Sequence, residues 1–138
     1  MDPADFLLVA EPFQASDSEA ERRTCIGRSY YGLYNLLVGF LTSRGVSLGK
    51  GPFVHQRLVQ RLEQSGHFQA QKLAERLKKL RSLRNDADYN MSLVIDASQS
   101  QMAYRWARSA VDLFHRLPEA EQDNMASTTS KTKAPAAV

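Results

Sequence analysis

Cysteine occurs once in the 138 residues, at Cys25. A single thiol excludes an intramolecular disulfide and leaves no cysteine-based metal site in view. Its place inside a helical pattern makes it a small packed side chain, with a reactive thiol as the alternative. Glycine (7) and proline (5) are few, and runs of β-branched residues are nearly absent. A chain so poor in breakers and strand formers, and rich in Ala, Leu, Arg, Gln and Glu, is expected to be all-α. No long hydrophobic run exists: the longest, Leu36 to Leu41, falls far short of the ~20 residues that cross a bilayer. The opening Met1-Asp2-Pro3-Ala4-Asp5 is acidic where a secretory leader is basic. These absences predict a cytoplasmic protein with no membrane partner. The length suits one domain with a real core.

What is present is helical periodicity. Phe6 to Val9 predicts a short turn that Pro12 interrupts, so residues 1–15 read as an N-terminal arm or short helix. Ser16 and Glu19 have the spacing of a capping box, and Ile26, Tyr30, Leu33, Leu37, Phe40 and Leu41 then mark a long amphipathic helix. Gly45 suits its C-terminal cap. Pro52 fits the first turn of a second helix, with Val54, Leu58, Val59 and Leu62 inward. A third begins at Phe68 and carries Leu73, Leu77 and Leu80 on its seam, and Asn85 to Asp88 should end it. Met91 to Ile95 reads as an extended apolar bridge. Asp96 is a plausible N-cap for a last helix with Met102, Trp106, Ala110, Leu113 and Leu117 on one face, widened by Ala103, Ala107 and Phe114. The polar, small-residue segment 118–138 is expected to be a disordered tail. Residues 16–117 thus predict an antiparallel four- to five-helix up-and-down bundle.

No cofactor is indicated. Gly49-Lys50-Gly51 lacks the preceding strand, the further glycine and the Ser or Thr that a phosphate loop requires. His55, His67 and His115 fall in different segments, without a ligand-type partner at helical spacing, so no metal site is expected. Charge is uneven. Cations gather between Arg57 and Arg84, among them Arg57, Arg61, Lys78 and Arg81, with only Glu63 and Glu75 opposing them. Such a face suits RNA, and equally describes a solvated helix surface.

The most concentrated chemistry lies in Arg81-Ser82-Leu83-Arg84-Asn85-Asp86-Ala87-Asp88-Tyr89. Arg84, four past Leu80, falls where the seam calls for a leucine. A permanent charge there needs a partner, and Asp86 and Asp88 are the nearest. The two aspartates are more simply helix-end residues paired to arginine than a metal pair. A fixed guanidinium can clamp a phosphate or stabilise charge on a reacting one. Tyr89 can donate a hydrogen bond or act as an acid, but an unperturbed phenol titrates near pH ~10 and makes a poor proton shuttle. Tyr30, Tyr31 and Tyr34 cluster at helical spacing, which reads as core packing with hydroxyls at the rim.

Two blocks together resemble the HEPN superfamily. One is Arg28-Ser29-Tyr30-Tyr31-Gly32-Leu33-Tyr34; the other is Leu80 through Tyr89, followed by an alanine-rich helix. The Arg-x-x-Ala-Asp-Tyr form is most similar to the small HEPN proteins paired with minimal nucleotidyltransferases. The resemblance spans residues 16–117 and implies a helical homodimer of a toxin–antitoxin or phage-defence system, acting on RNA or nucleotides. It implies a site in which Arg84 matches the motif arginine and Asn85 the polar residue after it. Tyr89 stands where the family's ribonucleases carry histidine, which counts against ribonuclease chemistry.

Two readings stay open. In one, a metal-independent endoribonuclease uses Arg84 on the scissile phosphate and Tyr89 as proton donor or acceptor, with Asn85 and Asp88 orienting them. In the other, a non-catalytic module partners a nucleotidyltransferase or antitoxin. Arg81, Arg84, Lys78, Arg57 and Arg61 are the expected RNA or phosphate contacts. Tyr30, Tyr31, Tyr34 and Asp86 form the expected structural network.

Overall fold

The computed structural model describes residues 1–127, and every regular element in that span is helical. The helices are α1 (Asp5–Ala10), α2 (Glu19–Ser43), α3 (Val54–Glu63), α4 (Phe68–Tyr89), α5 (Ala97–Arg116) and α6 (Glu119–Ala126), with a 3-10 turn at Glu11–Phe13. This is the all-α bundle that the composition predicts. Among the described residues, no helix is long and apolar enough to cross a membrane.

The central element is α2. Cys25, Ile26, Gly27, Ser29, Tyr30, Gly32, Leu33, Leu37 and Leu41 are all buried, so the helix is covered on most of its circumference. Small residues explain how several neighbours fit around it. Cys25 Sγ lies 3.7 Å from the Ser100 carbonyl of α5. A Cβ on Gly27 would stand 3.9 Å from Asp88 of α4. A Cβ on Gly32 would come 3.0 Å from Leu7 Cδ2 of α1, whose side chain is fully buried. Gly32→Ala is therefore expected to lower stability by about 1 kcal/mol, read as a drop in the urea midpoint, because crowding against the buried Leu7 outweighs the better helix propensity of alanine.

Near their N-termini α2 and α5 meet at Cys25 and Ser100, and near their C-termini the Phe40 and Phe114 rings lie 4.9 Å apart. The two helices therefore run in the same direction. Helix α4 runs opposite to α2, since Arg23 at the start of α2 reaches the carbonyls of Asp86 and Ala87 at the end of α4. Helix α3 packs beside α4 through a turn with Gly66 at φ 68°.

Several local expectations need correction. The N-cap of α2 is Ser18, which accepts from the Glu21 amide, while the Ser16 hydroxyl bonds the Glu21 carboxylate. Pro52 precedes α3, which starts at Val54. The inward residue of its first turn is His55, with Val54 only half-buried. The buried stripe of α5 runs Ala103, Ala107, Ala110, Val111 and Phe114. Met102 is exposed and Trp106 is half-buried at the edge, under Arg76 and Lys79. The alanines face α2 because they allow close approach, and the larger rings take the margin. Residues 91–93 form an exposed turn rather than an extended bridge, and only Ile95 of the segment is buried. Asp96 does cap α5, in a capping box with Gln99.

The expected tail is also shorter. Residues Glu119–Ala126 form α6, and its Met125 is fully buried. Composition hid this because one methionine supplies the apolar anchor, while Arg61 closes the helix end by donating to the Ala126 carbonyl at 2.7 Å. The rest of the tail expectation, from 128 on, lies outside the described residues.

Candidate functional site

The third helix does not stop at Asn85. It continues to Tyr89, and Arg23 supplies the reason. A helix end leaves its last carbonyls without intrahelical partners. The Arg23 guanidinium, 13% exposed, donates to the carbonyls of Asp86 (3.2 Å), Ala87 (2.9 Å), Asn90 (3.2 Å) and Leu93 (2.6 Å). Glu19 holds it in place at 2.9 Å, and the same carboxylate accepts the Ile95 amide at 3.1 Å. That amide first, and then Arg23, lower the Glu19 pKa. With its carbonyls satisfied and a cation at the negative end of its dipole, α4 extends one more turn. Arg84 to Tyr89 is thereby helical, and its side chains are placed at helical spacing.

Arg84 and Asp88 are one turn apart, with Nε 2.9 Å from Oδ2. The Nε–H is not aimed along that line, so the contact is an ion pair and not a directed hydrogen bond. The guanidinium lies between two rings, 5.2 Å from the Tyr31 centroid and 5.3 Å from that of Tyr89. Asn85 Oδ1 and the Tyr89 hydroxyl each accept from it at 3.4 Å. Partial desolvation opposes the charge of Arg84, but Tyr31, Asp88 and Tyr89 outweigh that and raise its pKa. The seam position is therefore resolved by half-burial and an aromatic sandwich. The Asp86 side chain makes no ion pair among the described residues, and its carbonyl serves the Arg23 cap.

Next to this pair a cleft of about 270 Å³ opens between α2, α3 and α4. Tyr30, Tyr31 and Tyr34 of α2 line one side, Arg81 and Arg84 of α4 another, and Gly51, Pro52 and His55 the third. The three tyrosines pack edge-on and stacked, with centroids 4.9 to 5.9 Å apart. The Tyr30 hydroxyl meets His55 Nδ1 at 2.6 Å, and the Tyr34 ring lies nearly parallel to the imidazole. Burial raises the pKa of Tyr30 above the usual phenol range, with Tyr34 adding to it. Burial, aided by the charge of Arg81, lowers His55 to about 4. With a protonated phenol and a neutral imidazole, we assign Tyr30 as donor to Nδ1, which leaves the ring proton on Nε2. Among the described residues Nε2 has no hydrogen-bond partner.

The low pKa of His55 has a consequence for stability. Above the usual pKa of 6.5 the imidazole is neutral in folded and unfolded chains alike. As the pH falls from 6.5 toward about 4 only the unfolded chain takes up the proton, so stability declines through that window. The denaturation midpoint is expected to fall less steeply between pH 7 and 4.5 in His55→Gln than in the unaltered protein.

The expected phosphate contacts divide sharply. Lys78 is paired with Glu63 at 2.7 Å, Arg57 donates to the Leu48 carbonyl at 3.1 Å, and Arg61 to that of Ala126. These three side chains have structural work. Arg81 is exposed and makes no ion pair or side-chain hydrogen bond among the described residues, although its charge is felt at Tyr30, Tyr34 and His55. Tyr89 is 71% exposed and lies beside Arg84 at the surface. Two site residues escaped the sequence reading, and both carried a signal. His55, Leu58, Val59 and Leu62 keep the spacing of one helix face. Arg23 stands three before Ile26 and extends the inward stripe of α2 toward its start. Among the described residues no three His, Cys, Asp or Glu side chains gather as a metal-binding group. No model of a protein family matches the chain, and neither a curated protein nor a solved structure matches it.

Proposed function

We propose that this chain is a HEPN-like protein of a toxin–antitoxin or phage-defence system, which binds the phosphate of RNA or of a nucleotide in the tyrosine–arginine cleft. One observation carries the reading: Arg81 stands without an opposing carboxylate at the mouth of a cleft walled by aromatic rings, beside Arg84. Unneutralised guanidinium groups recognise phosphate, and the half-buried rings of Tyr31 and Tyr34 offer a base a surface to stack on. The order and spacing of the Tyr30-Tyr31 and Arg84-to-Tyr89 blocks support the family reading. Ribonuclease chemistry would need a proton acceptor in the cleft. Tyr89 is turned to Arg84 at its rim, and His55 is the imidazole within reach of the same space.

A second reading rests on a different surface. Tyr89, Met91 and Val94 are 71%, 68% and 75% exposed and form an apolar edge where α4 turns toward α5. Such an edge fits a partner surface, either a second copy of this chain or a nucleotidyltransferase or antitoxin.

The test incubates RNA with the purified protein in EDTA, beside Arg84→Ala and Tyr89→Phe. Binding that requires Arg84, without cleavage, supports the module. Cleavage lost in Arg84→Ala supports the enzyme. Neither binding nor cleavage by the unaltered protein overturns the phosphate-site reading.

A further inference from the structure

A second and larger cleft, about 580 Å³, lies between α3 and α4 and shares Pro52, His55 and Arg81 with the first. The volume falls inside the ~300–1,000 Å³ typical of small-ligand sites. Its floor and walls differ from those of the tyrosine cleft. Phe53 is 58% exposed there, and Gln56 and Gln60 stand one helical turn apart on α3. Among the described residues, neither glutamine side chain has a hydrogen-bond partner, and Glu63 and Lys78 neutralise each other at the far end. Among the described residues that line the two clefts, Arg81, at the junction, has no opposing carboxylate.

We infer that the α3–α4 cleft is a nucleobase subsite adjoining the phosphate site, so that the furrow takes two successive nucleotides of a single strand with the linking phosphate on Arg81. This deepens the phosphate-binding reading and rests on it. Three features converge on that occupant. The cationic junction supplies charge complementarity to a phosphodiester. The phenyl ring of Phe53, with the Arg57 guanidinium 6.0 Å from its centroid on one side, gives a stacking platform on its open side, and such stacking changes affinity by ~10-fold or more per base in single-strand binders. Two unpartnered amides, each both donor and acceptor, match the mixed donor and acceptor edges of a base. A peptide strand would instead call for a row of unpaired backbone groups or an unbroken apolar trough, and this cleft interrupts its apolar lining with Gln56, Gln60, Glu63 and Lys78.

The inference separates from the reading beneath it by comparing probes of one and two nucleotides. Affinity is measured for adenosine 5′-monophosphate and for the dinucleotide ApA without a terminal phosphate, so that each probe carries one phosphate, with an acidic peptide as the control. The dinucleotide is expected to bind at least ~10-fold more tightly than the mononucleotide, and Phe53→Ala to erase most of that gain. Gln56→Ala with Gln60→Ala reduces the gain without touching the ring, which guards against a local collapse at Phe53. Equal affinity for the two probes, or a gain that survives both variants, overturns the subsite and leaves the phosphate site standing. Binding of neither probe overturns both. Preference for the peptide, lost in Phe53→Ala, overturns the nucleobase assignment.

Discussion

Arg23→Ala is expected to lower stability by about 3 kcal/mol. The arginine is nearly enclosed and ties three parts of the chain together: Glu19 at the start of α2, the last turn of α4, and the Leu93 carbonyl of the following turn. Its removal leaves several carbonyls unpaired and the Glu19 carboxylate without its cation. The last turn of α4 should then fray back toward Asn85. The readouts are the urea midpoint and the far-ultraviolet helical signal. Arg23→Lys is expected to recover little, since one ammonium cannot span carbonyls that a planar fork reaches from both sides. A loss within about 0.5 kcal/mol, the usual scale of surface changes, would show that α4 holds its end without the cap.

Replacing Arg81 and Arg84 together by alanine is expected to weaken RNA or nucleotide binding by about 100-fold, from charge-assisted contacts that each contribute roughly 10-fold or more. The two singles should differ in kind. The Arg81 side chain makes no ion pair or hydrogen bond among the described residues, so Arg81→Ala should leave the unfolding midpoint in place while reducing affinity. Arg84 is held by Asp88 and sandwiched by Tyr31 and Tyr89, so Arg84→Ala should affect both. Lys72→Ala, exposed on α4 and outside both clefts, serves as the control for general charge. Its loss removes one positive charge without touching the cleft and should change affinity little.

Periodicity made the helices legible, and the seam of Leu73, Leu77 and Leu80 is fully buried as its spacing requires. Boundaries were harder, because they depend on partners distant in the chain. Asn85 to Asp88 has the composition of a helix end, and only a guanidinium 63 residues earlier overrides it. The tail from 118 looked too polar to fold, yet a buried methionine, Arg61 of α3 and Arg44 at the end of α2 hold α6. The site was legible in part. The cluster around Arg84 stood out because a charge occupies a leucine position. That Asp88, and not Asp86, answers it follows from the extra helical turn. Lys78, Arg57 and Arg61 looked equivalent to Arg81 in the sequence, since charge alone does not show which cations are already bonded. His55 seemed isolated because its companions, Tyr30 and Arg81, come from two other helices.

The central claim is that the tyrosine–arginine cleft, and not the wider basic surface, receives phosphate. Nuclear magnetic resonance during titration with a short single-stranded RNA tests it most directly. The account predicts that the ring signals of Tyr31, Tyr34 and His55 and the guanidinium signals of Arg81 and Arg84 shift together and saturate with one affinity. Shifts confined to Lys72 and Lys79, on the exposed face of α4, or no saturable shift at any of the five cleft residues, would contradict it.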